Sequence, residues 1–326
     1  MLRRVVCWAI AMCAALGYAA PAYAYLPPPF ERLDRDVHIV ARHVPAAIAL
    51  DVLDLNTGYR AGVNAARSMP AASTIKLPVM VEVFEQLEGG RFDLNRRVTL
   101  ERADKDCGSG DLCGASEGQS FAVSELLAKM IDISDNTATN MLIRLVGRRN
   151  INRQMADLGL TKTHLARDVR TDGWSIRQAL RTSPADLVTL LSLIARGEMV
   201  DEWSSNEMIA LLEADRYNTL LPAPLPDNVA IAHKTGSLFD TLNDAGIVYA
   251  GTAPYVIAVM TTALPSQTMG RAFIHKISRL AYADELRFAH WRRDMGIETT
   301  FSPRSTNDNG DASPDVLYWS SGPPKP

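Results

Sequence analysis

The sequence predicts an α+β fold in which an antiparallel sheet, flanked by helices, carries an inserted all-helical subdomain. Three observations predict it. Runs of β type lie toward both ends of the chain, at 46–55 and 59–63 and again at 229–234, 246–250 and 255–262. The block between them, about 70–215, reads mainly as successive helices. An amphipathic stretch at 271–289 follows the last strand and can close over the sheet. The sheet part is expected over about 35–65 and 225–292, within one domain spanning 25–295.

In order, a proline-rich lead at 25–30 enters a polar helix at 31–42. The strand at 46–55 turns at Asn56-Thr57-Gly58 and returns at 59–63 as a hairpin. A helix at 73–87 places Ile75, Val79, Val83 and Leu87 on one face and stops at Gly89-Gly90. Pro78, just beyond its first turn, invites a mild kink. Residues 91–120 are loop-rich. A helix at 124–133 carries Leu126, Leu127, Met130 and Ile131 on one side and is interrupted by Ser134-Asp135-Asn136. Helices at 137–146 and 150–158 end at Gly147 and Gly159. Residues 161–182 are polar with weak periodicity and read as a surface loop. Ser183-Pro184 supplies an N-cap followed by proline at the first helical position, opening a helix through Ala195. Residues 207–213 continue the helical part. From 296 to 326 the chain is rich in Ser, Asn, Asp, Gly and Pro and is expected to be a disordered tail.

Composition narrows the function. With 326 residues, 47% hydrophobic and 22% charged, the chain has the make-up of a soluble globular protein. A net charge of −3 and the lack of a basic stripe argue against nucleic acid as a partner. Arg3 and Arg4, an apolar stretch at 5–16 and Ala22-Tyr23-Ala24 read as a secretory signal, residues 1–24, cleaved near Ala24. The apolar stretch falls short of the roughly 20 residues that span a bilayer. A monomer in the periplasm or outside the cell, without stable membrane insertion, is the expectation. Cleavage leaves Cys107 and Cys113, which read as a disulfide closing a small loop, with two free thiols as the alternative. No second cysteine or histidine cluster accompanies them, so neither a metal nor another cofactor is expected.

Three short strings carry chemistry. In Ser73-Thr74-Ile75-Lys76 the hydroxyl and amine share a helix face one turn apart, within hydrogen-bonding reach. A serine attacks only when a base takes its proton, and a lysine serves as that base when burial or nearby cations lower its pKa. Ser134-Asp135-Asn136 precedes a helix, where Ser134 can bridge lysines and a leaving nitrogen, Asp135 can cap, and Asn136 can hold a substrate amide. Lys234-Thr235-Gly236 lies on an expected edge strand: Lys234 offers charge to a substrate carboxylate, Thr235 and Ser237 offer hydroxyls, and Gly236 admits close backbone approach. His233 alternates to the opposite face and reads as structural.

These three motifs, 61 and 100 residues apart, resemble those of class A β-lactamases and penicillin-binding proteins. The resemblance covers about 35–292. It implies a β-lactamase/transpeptidase-like fold and an acyl-enzyme on Ser73, with Lys76 and Ser134 moving protons. Asn136, Lys234, Thr235, Gly236 and Ser237 would bind substrate, and the backbone amides of Ser73 and Ser237 would form the oxyanion hole. The substrate would be a small β-lactam or a cell-wall peptide.

The sequence also departs from the class A pattern. Class A β-lactamases carry a glutamate, and an asparagine four residues later, that hold the deacylating water. Counting from Leu160 puts Val169 and Gly173 at those positions, although Arg167 matches the loop's usual arginine. Asp168 and Asp172 are the carboxylates that could substitute, with ion pairs to Arg167 or Arg170 as their alternative role. Leu238 replaces the second glycine after the Lys-Thr-Gly motif, and 244–250 holds no arginine to clamp a carboxylate. The leading expectation is a β-lactamase with slow turnover. A D-Ala-D-Ala carboxypeptidase or esterase-like hydrolase is the alternative, followed by a non-catalytic cell-wall-binding relative. The intact Ser73, Lys76, Ser134 and Lys234 weigh against the last.

Overall fold

The computed structural model describes residues 27–171 and 176–297, together with Phe301. The expected signal segment, Asp172 and nearly all of the expected tail lie outside the described residues.

The elements run α1 (Pro28–Arg42), β1 (Ala47–Asp54), β2 (Arg60–Val63), β3 (Met69–Pro70), α2 (Lys76–Glu88), β4 (Arg97–Thr99), β5 (Ser120–Ala122) and α3 (Val123–Asp132). They continue with α4 (Asn136–Val146), α5 (Arg148–Asp157), β6 (His164–Leu165), α6 (Ile176–Ala179), β7 (Leu180–Thr182), α7 (Pro184–Ala195) and α8 (Glu202–Glu213). The chain closes with β8 (Ala230–Leu238), β9 (Thr241–Tyr249), β10 (Tyr255–Thr262) and α9 (Gln267–Asp294). The main sheet has the order β2-β1-β10-β9-β8, antiparallel throughout, so both ends of the chain build it as expected.

Alternation along the strands sorts side chains to two faces. Leu50 and Val52 of β1, with Ile257 and Val259 of β10, meet α1 and α9 in one core. Ala49, Leu53, Val256, Ala258 and Met260 point the other way, into a second core shared with the helical block. The 28-residue α9 covers the first face, anchored by Phe273, Ile274, Ile277 and Phe288. Among the described residues no helix is long and apolar enough to cross a membrane.

Several local expectations change. The helix after Ser73 is buried nearly all round, with Glu85 and Glu88 as its exposed positions, because it forms the centre of the helical block. Pro78 is its third residue, where a missing N–H falls among donors that lack an intrahelical acceptor, so the helix passes it unbroken. The segment 161–182 is not a plain surface loop. β6 and β7 pair within it, and β7 pairs with β3, forming a three-stranded sheet beside the turn that holds Ser73. β9 begins at Thr241 because its polar residues Asn243 and Asp244 are fully buried and bonded. Within the expected tail, Ile297 N–H donates to Arg292 O, and the Arg196 guanidinium lies 5.0 Å from the centre of the Phe301 ring.

Candidate active site

Ser73 sits in a tight turn between β3 and α2. Ala72 has φ of +49°, a left-handed conformation that costs a non-glycine residue about 1–2 kcal/mol. Neighbouring contacts hold it. Asn243 Nδ2 donates to Pro70 O at 2.9 Å and Ala71 O at 3.0 Å, and Ala71 N–H donates to Leu180 O at 2.9 Å. A Cβ added to Gly236 would stand 2.9 Å from Ser73 N and 3.1 Å from Ala71 O. The glycine of the third motif therefore admits the backbone of Ser73, where the sequence suggested room for a ligand.

Lys76 is fully buried, and its ammonium donates to Ser134 O at 2.5 Å, Ser134 Oγ at 2.9 Å and Asn136 Oδ1 at 2.8 Å. Those three acceptors use its donors, and no hydrogen bond joins it to Ser73. Burial, with the charge of Lys234 adding to it, pushes the Lys76 pKa well below that of a free lysine against the opposing pull of Asp135, Asp106 and Asp215. The amine is thus made easier to deprotonate, as a general base requires.

Asn136 is spent inside the protein. Its Oδ1 accepts from Lys76, and its Nδ2 donates to Asp106 Oδ1 at 2.8 Å, so the substrate-binding role expected of it is not free in this arrangement. Asp106 also accepts from Gly108 N and from Thr171 N and Oγ1. Burial would raise its pKa, but the hydrogen bonds from Thr171, Asn136 and Gly108 together hold it below the usual value. Next to it, Cys107 and Cys113 form the disulfide, with Cα atoms 5.3 Å apart. Asp135 does more than cap α4. It accepts from Ala138 N, and its other oxygen accepts from Asp111 N and Leu112 N in the disulfide loop. Gly110, at φ +86°, leaves room for that carboxylate, which a Cβ would meet at 2.1 Å.

On the sheet side, β8 is an edge strand, as expected. Lys234 Nζ donates to Asp215 Oδ2 at 3.0 Å, and both side chains are fully enclosed. Its neighbours Thr235, Gly236 and Ser237 line a cleft of about 300 Å³ with Ser73, Lys76, Ser134 and Asn136, whereas Lys234 does not. The expected contact of Lys234 with substrate is thus closed off here by the Asp215 pair. His233 is structural, held by Asp244 Oδ1 and Asn218 Oδ1 at 3.0 Å each. Although burial opposes it, the Asp244 carboxylate raises the His233 pKa.

Val169 and Thr171 also line the cleft. Val169 is 4% exposed, and Asn140 grips its backbone through Val169 N and O. The position expected for a water-activating glutamate is an apolar wall. Asp168 does not line the cleft. It pairs with Arg148 at 3.5 Å, neither of the arginines expected, and its side chain is half-exposed while neighbouring Val169 is buried. Asp172 is among the residues not described.

Sequence reasoning missed Asp106, Asp215 and Asn243, which orient the named residues without touching the cleft themselves. It also missed Arg271, which reaches the cleft from α9 and donates to Thr219 O at 3.1 Å. Among the described residues no group of three or more His, Cys, Asp or Glu side chains is placed to hold a metal ion.

A model of the Beta-lactamase enzyme family matches residues 32–284. The chain belongs to that family. It is a β-lactamase-like serine hydrolase. A β-lactamase of Rhodobacter capsulatus is 24% identical over 247 residues, covering 74% of this chain and 84% of that protein. The structure of PBP-A is 32% identical, with a TM-score of 0.75, and covers 81% of this chain and 100% of its own. An L158E mutant of PBP-A, solved as an acyl-enzyme complex with penicillin-G, is 32% identical with a TM-score of 0.74, covering 80% of this chain and 100% of its own. The family's α+β architecture is therefore the fold observed.

Proposed function

We propose that this protein forms an acyl-enzyme on Ser73 with β-lactams and releases it slowly. One observation carries the reading: a buried, pKa-depressed Lys76 bonds Ser134 in the cleft that holds Ser73, while apolar Val169 stands in its lining. In acylation Ser73 Oγ bonds the carbonyl carbon as its proton passes to neutral Lys76. The amide C–N bond breaks, and Ser134 passes a proton to the leaving nitrogen, recovering one from Lys76. The backbone amides of Ser73 and Ser237 receive the oxyanion. Arg271 supplies cationic charge at the cleft for a substrate carboxylate.

Deacylation needs a base that deprotonates water, and the Val169 isopropyl group cannot act as one. A second reading takes a D-Ala-D-Ala peptide as the natural substrate, handled as a carboxypeptidase would handle it, which needs a water route away from Val169 to release its acyl-enzyme. β8 lies at the edge of the sheet, which suits an extended peptide along the part beyond Thr235, whose N–H already donates to Asp215 Oδ2. Export completes the proposal, supported by the signal-like start of the sequence and by a disulfide of the kind that oxidising compartments favour.

Intact-protein mass spectrometry with benzylpenicillin tests the reading. A long-lived adduct that Ser73→Ala abolishes is expected. A transient adduct with accumulating product would mean an efficient deacylation base elsewhere, and an adduct surviving in Ser73→Ala would remove Ser73 as nucleophile.

A further inference from the structure

Between α8 and β8 the chain crosses one end of the cleft as a strap, residues 215–219. It is tied on both sides. Arg216 pairs with Asp132 at 2.8 Å, and Tyr217 Oη donates to Ile133 O at 3.3 Å, both at the end of α3 beside Ser134. On the sheet side Asn218 Oδ1 meets His233 Nε2 at 3.0 Å, and Thr219 O accepts from Arg271 and His275. Asp215, at its start, takes Lys234 Nζ with one oxygen and Tyr217 N–H with the other.

Tyr217 is the side chain of the strap that covers Lys234. Its ring centre lies 6.0 Å from Lys234 Nζ, and the ring lines the cleft with 43% of the residue exposed, while Lys234 is 0% exposed. A substrate carboxylate in the cleft therefore meets an aromatic ring and, behind it, an ammonium already neutralised by Asp215. A cation under an aromatic face is attracted to it, and burial preserves the pair against water.

We propose that Tyr217 is a specificity-determining residue that withholds Lys234 from the substrate. With Lys234 covered, Arg271 remains as a cation lining the cleft, so neutral acyl donors, in which an ester or amide replaces the carboxylate beside the scissile bond, lose less relative to their acids than they would in a cleft open to Lys234. The proposal rests on acylation of Ser73 and deepens it by naming the substrate class. The strap's ties on both sides keep the roof in position, so discrimination is set by the resting geometry.

The test is the ratio of second-order acylation rate constants for benzylpenicillin and its methyl ester, read by mass spectrometry on the full-length mature chain. Tyr217→Ala is expected to raise the acid-to-ester ratio about tenfold or more, the worth of one charge-assisted hydrogen bond made newly available. Tyr217→Phe keeps the ring and should leave the ratio close to that of the unsubstituted protein, which separates the roof from the Ile133 tie. Adding Lys234→Met to Tyr217→Ala should cancel the gain. Because the ratio compares two donors on one protein, a general loss of activity divides out. An unmoved ratio in Tyr217→Ala, or a gain that survives without Lys234, overturns the proposal while leaving the acyl-enzyme reading intact. Failure of both compounds to label Ser73 in the unsubstituted protein overturns that reading and this one with it.

Discussion

Asn136 Nδ2 donates to Asp106 Oδ1 at 2.8 Å, joining the Ser134-Asp135-Asn136 motif to the residue that precedes the disulfide loop. Through Asn136 Oδ1, which accepts from Lys76, the carboxylate steadies Lys76 without touching it.

Asp106→Asn is therefore expected to cost about 2–3 kcal/mol at neutral pH, since donors from Asn136 and Thr171 lose an ionised acceptor. For a domain this size that is a fall in melting temperature of roughly 5–10 °C. The native Asp106 pKa is depressed, so its contribution is present above the ordinary value of 3.8 and is lost as pH falls through the lower folded value. Thermal melts across pH should show the deficit shrinking in strong acid.

Lys234→Met should move the acid limb of the Ser73 acylation profile to higher pH. Lys234 is a cation that helps depress Lys76, and its loss also frees the Asp215 charge, which favours protonation of Lys76. Both effects have one sign. Acylation rates measured from pH 4 to 9 would count against this account if the limb stayed in place or moved toward acid.

Val169→Glu should speed release of the penicillin adduct by about a hundredfold or more, the low end of what a positioned general base supplies. The position is already a wall of the cleft, with its backbone fixed by Asn140. Adduct lifetime is the measurement; an unchanged lifetime would mean that water cannot be seated between residue 169 and Ser73.

Glu285, on α9, is fully buried, and neither of its carboxyl oxygens has a hydrogen-bond partner when it is ionised. Burial, with the nearby Asp54 carboxylate adding to it, raises its pKa well above the ordinary 4.5. The stability of the protonated form is complete below that ordinary value and is lost as pH rises through the folded value. Glu285→Gln should match the native melting temperature near pH 4 and exceed it increasingly toward pH 8. Equal curves at both ends of the range would mean that Glu285 does not hold its proton.

The parts legible in the sequence share a property: their information is local. Ser73-x-x-Lys76 and Lys234-Thr235-Gly236 are short strings, and the strands of the main sheet are eight or nine residues long apart from β2. β3, β6 and β7 have two or three residues each, too few for a period to show. The supporting polar groups were illegible for a different reason. Asn243 reaches Ala71 across 172 positions, and Asp215 reaches Lys234 across 19, so neither contact leaves a spacing that chemistry alone would single out. Asp168 misled because proximity in sequence to the expected site says nothing about which side of the backbone its carboxylate takes.

The pairing of β1 with β10, Ala47 opposite Thr262 and Asp54 opposite Tyr255, joins segments synthesised near the start and near the end of the chain. Ser73 is in the same position: its turn is tied by Asn243 of β9 and faced by Gly236 of β8. A nascent chain that has emerged only as far as α8 already contains Ser73, Lys76 and Ser134 but not the backbone that seats them. Such long-range pairing closes late and slowly. A covalent label on Ser73 would thus serve as a clock for synthesis, marking the moment at which the last strands have joined the first.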